Sequence, residues 1–116
     1  MPDPLLAFSQ DFFQETLNDV PNHLHDQIID ILKNIRRVDI LQNRYESLKG
    51  KLRLFRRFRV GNYRVFFIYC RECYEEYDRV FQCFNCNDNY EKIIAFCVFK
   101  RKNAYNKLER KFGSRF

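Results

Sequence analysis

The sequence predicts an α+β fold in which two N-terminal helices pack on a small antiparallel sheet, in the order β-α-α-β-β-β. Three observations lead there. Apolar residues recur at helical spacing through the first third of the chain, and strand-like alternation begins after Gly50. No repeat, linker or shift to Gly- and Pro-rich composition divides the 116 residues, so one domain over 1–116 is expected. Hydrophobic residues make up 46% of the chain, with 13 Phe and 7 Tyr against three Gly and three Pro, which does not fit disorder. No stretch approaches the ~18 apolar residues that span a bilayer. The start, MPDPLLAF, has an acid where a signal peptide carries lysines, so a cytoplasmic, membrane-free protein is expected.

The elements follow in order. LLAF (5–8) is a short opening or edge strand. Ser9 is placed as an N-cap for a first helix, with Phe12, Phe13, Leu17 and Val20 on its apolar side. Pro21 opens a second helix, whose core stripe is Leu24, Ile28, Ile31, Leu32 and Ile35. His23 and His25 are two apart, so on a helix they diverge and read as surface histidines. Residues 38–48 suit a helix end and a loop. From Lys51, Leu52, Leu54 and Phe58 alternate in part with Arg53, Arg57 and Arg59, as in a strand. Gly61-Asn62 makes a turn before YRVFFIY, and KIIAFCVF (92–99) supplies the last strand. A short basic helix is expected from Asn103 onward.

Four of the five cysteines form two CxxC pairs, Cys70 with Cys73 and Cys83 with Cys86, nine residues apart. Two such pairs suit tetrahedral zinc, and four thiolates leave no open position, so the metal is expected to be structural. The composition between them suits a hairpin, giving a zinc-binding insertion over 70–86 before the last strand. A disulfide pair or an iron–sulfur centre is the competing reading, and nothing points to an oxidising compartment. Cys97, alone in an apolar strand, reads as a buried small hydrophobe.

Charge is the other strong pattern. The formal net charge is +6, yet residues 49–64 hold seven basic residues and no acid, and 100–116 hold seven against one acid. The remaining 83 residues hold seven basic against fourteen acidic. Such concentration favours a polyanionic partner, although a merely solvated basic face has the same composition. No Ser-His-acid set or glycine-rich phosphate loop is present. A basic cluster with tyrosines can cleave RNA without a metal, because the 2′-hydroxyl supplies the nucleophile. The protein must align it, stabilise the phosphorane-like transition state and move protons. Arginine suits the charge role and is a poor base, because it stays protonated.

The runs L-K-G (48–50), R-F-R-V-G-N-Y-R-V-F-F (57–67) and V-F-K-R-K-N-A-Y (98–105) resemble the RelE/ParE toxin superfamily. Outside the cysteine insertion the resemblance covers most of the chain. It implies a RelE-like fold and the toxin of a type II toxin–antitoxin system: an mRNA interferase acting in the ribosomal A site. The implied partners are messenger RNA, the ribosome and an acidic, RelB-like antitoxin that lies over the basic sheet or displaces the C-terminal tail. By the same resemblance Arg57 and Arg59 match the paired basic positions, and Arg64 the arginine that stabilises the transition state. Arg101, with Lys100 as the alternative, matches the basic residue after the last strand, and Tyr105 the tyrosine that follows it. Lys49, Lys51, Arg53, Arg56, Lys100 and Lys102 are expected to bind RNA around them. Two other readings stay open: a ParE-like topoisomerase inhibitor, and a non-catalytic RNA-binding, zinc-containing adaptor.

Overall fold

The computed structural model describes residues 3–9, 12–77 and 91–112. Five strands form one sheet in the order β1-β5-β4-β3-β2. They are β1 (Leu5–Phe8), β2 (Glu46–Ser47), β3 (Phe55–Val60), β4 (Tyr63–Tyr69) and β5 (Lys92–Lys100). The helices are α1 (Asn22–Lys33), α2 (Arg37–Leu41), α3 (Cys70–Tyr77) and α4 (Ala104–Phe112). The α+β class and the strands over 5–8, 63–69 and 92–100 agree with the sequence reading. The sheet is mixed, however, because β1 runs parallel to β5 while the other pairs are antiparallel. No helix among the described residues is long and apolar enough to cross a membrane.

The sheet buries both faces. On one, α1 sets Ile28 and Leu32 against Phe58, Val60, Val65, Phe67 and Val98, with Ile35 and Ile40 completing that core. On the other, α4 lays Ala104, Leu108 and Phe112 over Phe55, Phe66, Phe96 and Cys97, and Cys70 and Cys73 of α3 join them. The basic C-terminal helix is therefore a lid on the second core. Its apolar residues fall four apart, so one stripe faces the sheet and the charged face stays outside.

The first expected helix takes another form: a π turn over Phe12–Thr16 and a 3-10 turn over Leu17–Asp19. Phe12 and Phe13 both stack near Phe8, with ring centroids 5.1 and 4.7 Å away. Neighbours on an α-helix diverge by about 100° and would not both reach one ring. The Ser9 hydroxyl donates to the Phe96 carbonyl at 3.0 Å, and its backbone carbonyl accepts from the Phe12 N–H at 3.1 Å. Gly50–Leu52 forms a 3-10 turn, so β3 begins at Phe55 and not near Lys51. The expected hairpin also changes: Cys70–Tyr77 is helical, and the remainder of 70–86 lies outside the described residues.

Candidate active site and nucleic-acid interface

The turn Gly61-Asn62 joins β3 to β4, with Gly61 at φ +56, a backbone region that side chains disfavour. This turn fixes the register that builds the site. Arg59 stands directly opposite Arg64, Arg57 opposite Phe66, and Phe99 flanks Arg64 on β5. Side chains two apart on a strand share a face, so Arg57, Arg59, Arg64, Phe66 and Phe99 lie on one side of the sheet. On the outer strand β2, Glu46 is the register partner of Arg57. The backbone N–H of Arg101 donates to the Asn62 carbonyl at 2.8 Å, which anchors the start of the C-terminal segment at this turn. Tyr105 then leaves the first turn of α4 and stacks edge-on against Phe66, with 6.0 Å between centroids.

Five predicted residues thus converge. The Arg57 guanidinium lies 5.5 Å from the Tyr105 ring centroid and is ion-paired to Glu46. Arg64 is only 5% exposed. Its Nη1 donates to the Tyr63 carbonyl at 3.1 Å, and it makes no ion pair with any described residue. Tyr105 is 42% exposed, at the rim. Burial holds the Arg64 pKa below the usual arginine value, and the charges of Arg59, Arg101 and Arg57 push it the same way. At Arg57 burial also acts downward, but the hydrogen bond it donates to Glu46 and the nearby Tyr105 outweigh it, and the net shift is upward. Glu46 is held below the usual carboxylate range, first by its hydrogen bond to Arg57 and then by the charges of Arg57, Arg59 and Lys49. A buried arginine pressed by three others, with one carboxylate nearby, is an anion-binding arrangement.

The other predicted positions separate. Register puts Lys100 opposite Tyr63, on the face away from Arg64, whereas Arg101 belongs to the cluster through its charge on Arg64. Lys49, Lys51, Arg53 and Lys102 are exposed around the site, and Lys51 pairs with Glu109 of α4 at 3.0 Å. Arg56 does not belong with them. It is 7% exposed on the opposite face, with its guanidinium bound to Glu72, Asn43 and the Tyr45 carbonyl, so it is not available to RNA. Glu46 is the site residue the sequence reading missed. It sits in a stretch with no clear period, and only strand register reveals it.

Cys70 and Cys73 lie one turn apart on α3, both buried, a spacing that sets two sulfurs on one side of a helix. Cys83 and Cys86 lie outside the described residues. Among the described residues no three metal-ligating side chains gather. Burial pushes the Cys97 thiol upward, away from reactive thiolate character, as suits a core position.

No protein-family model matches the sequence, and no curated protein does. Among solved structures the chain is similar to a chain of the RelB–RelE antitoxin–toxin complex from Methanococcus jannaschii. The match has 22% identity, covers 87% of this chain and 96% of that one, and has a TM-score of 0.50, which shows a shared fold.

Proposed function

We propose that the arginine face is the catalytic surface of an endoribonuclease that cuts messenger RNA on the ribosome, as the toxin of a toxin–antitoxin pair. The observation that carries this reading is the Arg59–Arg64 rung. Like charges directly opposed across strands destabilise a sheet, so an arginine pair half sunk in the structure calls for a polyanion. The shared fold with a chain of an antitoxin–toxin complex supports the partner class. An acidic antitoxin segment and an RNA strand would compete for the same face.

The chemistry follows from the residues. The 2′-hydroxyl oxygen attacks phosphorus as the bond to the 5′ oxygen breaks, leaving a 2′,3′-cyclic phosphate and a 5′-hydroxyl. Arg64 and Arg59 face the same strip of sheet and hold the phosphate oxygens, where charge grows in the transition state. Glu46, kept ionised beside Arg57, is the acceptor for the 2′-hydroxyl proton, a role arginine cannot fill. Tyr105 and Arg57 offer a flat, polarised edge on which a base stacks. The departing 5′ oxygen takes its proton from water, and Arg101, exposed just after β5, adds positive charge to the site.

The test is primer-extension mapping of messenger RNA in a reconstituted translation reaction, with wild type and Arg64→Ala, with and without ribosomes. Cuts within codons that require ribosomes and vanish in the variant are expected. Binding of RNA with no cuts, equal for ribo- and 2′-deoxy strands, would make the face a binding surface only.

Zinc remains part of the proposal. Cys70 and Cys73 on α3 supply one pair of thiolates and Cys83 and Cys86 the other, around a structural ion that stiffens this part of the fold. Elemental analysis should give one zinc per chain, and a strong chelator should lower the melting temperature. A metal-free protein with an unchanged melting curve would remove zinc from the description.

A further inference from the structure

Among the described residues Arg56 has the fullest side-chain hydrogen bonding, and from the face of β3 opposite the arginines it reaches the cysteine-bearing helix. Its Nε and Nη2 donate to the two Glu72 carboxylate oxygens at 2.8 and 2.6 Å. Its Nη1 donates to the Tyr45 carbonyl at 2.8 Å and to Asn43 Oδ1 at 3.1 Å. One rigid fork thus joins three segments: strand β3, the loop after α2, and α3. Lysine has no planar fork and cannot reproduce that geometry.

The loop it grips carries Glu46. Strand β2 has only two residues, so the ladder that holds Glu46 opposite Arg57 is minimal. Other tethers hold the loop to the sheet or to itself: the Tyr45 ring packs edge-on against Phe58 and Phe67, Asn43 takes the left-handed conformation at φ +56, and Arg44 Nη1 binds Asp39 at 3.1 Å. Arg56 reaches from this loop across to α3. Tyr45 immediately precedes Glu46, so a displaced Tyr45 carbonyl moves the carboxylate with it. On the far side, Glu72 stands between Cys70 and Cys73.

We propose that Arg56 is a positioning residue: it sets the Glu46 carboxylate against Arg57 and couples that pair to the placement of α3. A shift of α3 therefore reaches the arginine face through one side chain. The effect on cleavage rests on the ribonuclease reading; the effect on Glu46 does not.

The experiment uses the full chain as wild type, Arg56→Lys and Glu72→Gln, each checked for folding by its amide spectrum. The Glu46 carboxyl carbon is titrated by NMR without RNA, and kcat and KM are measured in the translation reaction. In wild type Glu46 should titrate below the ordinary carboxylate range. In both variants the midpoint should return towards that range, and kcat should fall about tenfold at little-changed KM, as for a misplaced catalytic group. Should Arg56→Lys fail to fold, Glu72→Gln decides, since it removes one charge from a half-buried position. A folded Glu72→Gln protein with the wild-type Glu46 midpoint would overturn the proposal, as would an ordinary midpoint in the wild type. A displaced midpoint in a protein that never cuts RNA would uphold the positioning role and sink the ribonuclease reading.

Discussion

Arg59 and Arg64 oppose each other on a sheet rung where most proteins place an attractive pair. Substituting Arg59 by Gln should relieve the repulsion and stabilise the fold by about 0.5 kcal/mol. The same change should weaken binding of a 2′-deoxy strand, so urea melts and binding isotherms should move in opposite directions. Glu46→Gln keeps the shape and removes the proposed proton acceptor; single-turnover cleavage should fall on the order of 100-fold, with RNA binding retained. At the other end of the sheet, Tyr69 donates to Glu91 at 2.8 Å. Burial first, then Glu91, raises the Tyr69 pKa from about 10 to about 12. A raised acid binds its proton more tightly when folded, so this stability is complete below pH ~10 and is lost as pH rises towards 12. Melting temperatures followed from pH 8 to 12 should show that fall, and Tyr69→Phe should flatten it. None of these three roles is visible in sequence, because each depends on which residue stands opposite.

Elements were legible where a single period dominates. Strand β5 and helix α1 show through their continuous apolar run and 3–4 stripe, and the Gly61-Asn62 turn shows through residue type. Helix α3 is the instructive failure. Cys70, Cys73, Tyr74 and Tyr77 fall at i, i+3, i+4 and i+7, a helical period, yet the same cysteines also form a CxxC motif that suggests a hairpin. The spacing of two thiols fits both conformations, so motif and period had to be weighed together. Helix α4 matters beyond its charge: Leu108 is fully buried on the second core. Leu108→Ala should cost about 2–5 kcal/mol in denaturant unfolding. Because Tyr105 rides on that helix, cleavage should fall more steeply than the loss of folded protein explains.

Across the whole molecule, the two basic segments seen in the sequence become one surface because β3–β4 and the end of β5 are neighbours. That convergence follows from strand order, which composition does not encode. Its signature is salt dependence: for a single strand, the slope of log affinity against log salt should be about −0.7 per phosphate contacted. Removing Arg59 should therefore make the slope shallower by about 0.7, whereas Arg56→Lys should leave it nearly unchanged. Equal slopes for wild type and the Arg59 variant would place the RNA elsewhere.

The sheet order has a consequence in time. Strand β1 (5–8) pairs with β5 (92–100), which is made long after it, and Tyr105 lies beyond both. The central strand β4 has one open edge until residue 100 has been added, and the arginine face lacks its tyrosine until residue 105. At about 5–20 residues per second, that delay is a few seconds of synthesis. On the proposed ribonuclease reading, a nascent chain has no complete site until then. An antitoxin segment that pairs with the open edge of β4 during this interval would intercept the protein before its site exists, and so need not unseat a finished one.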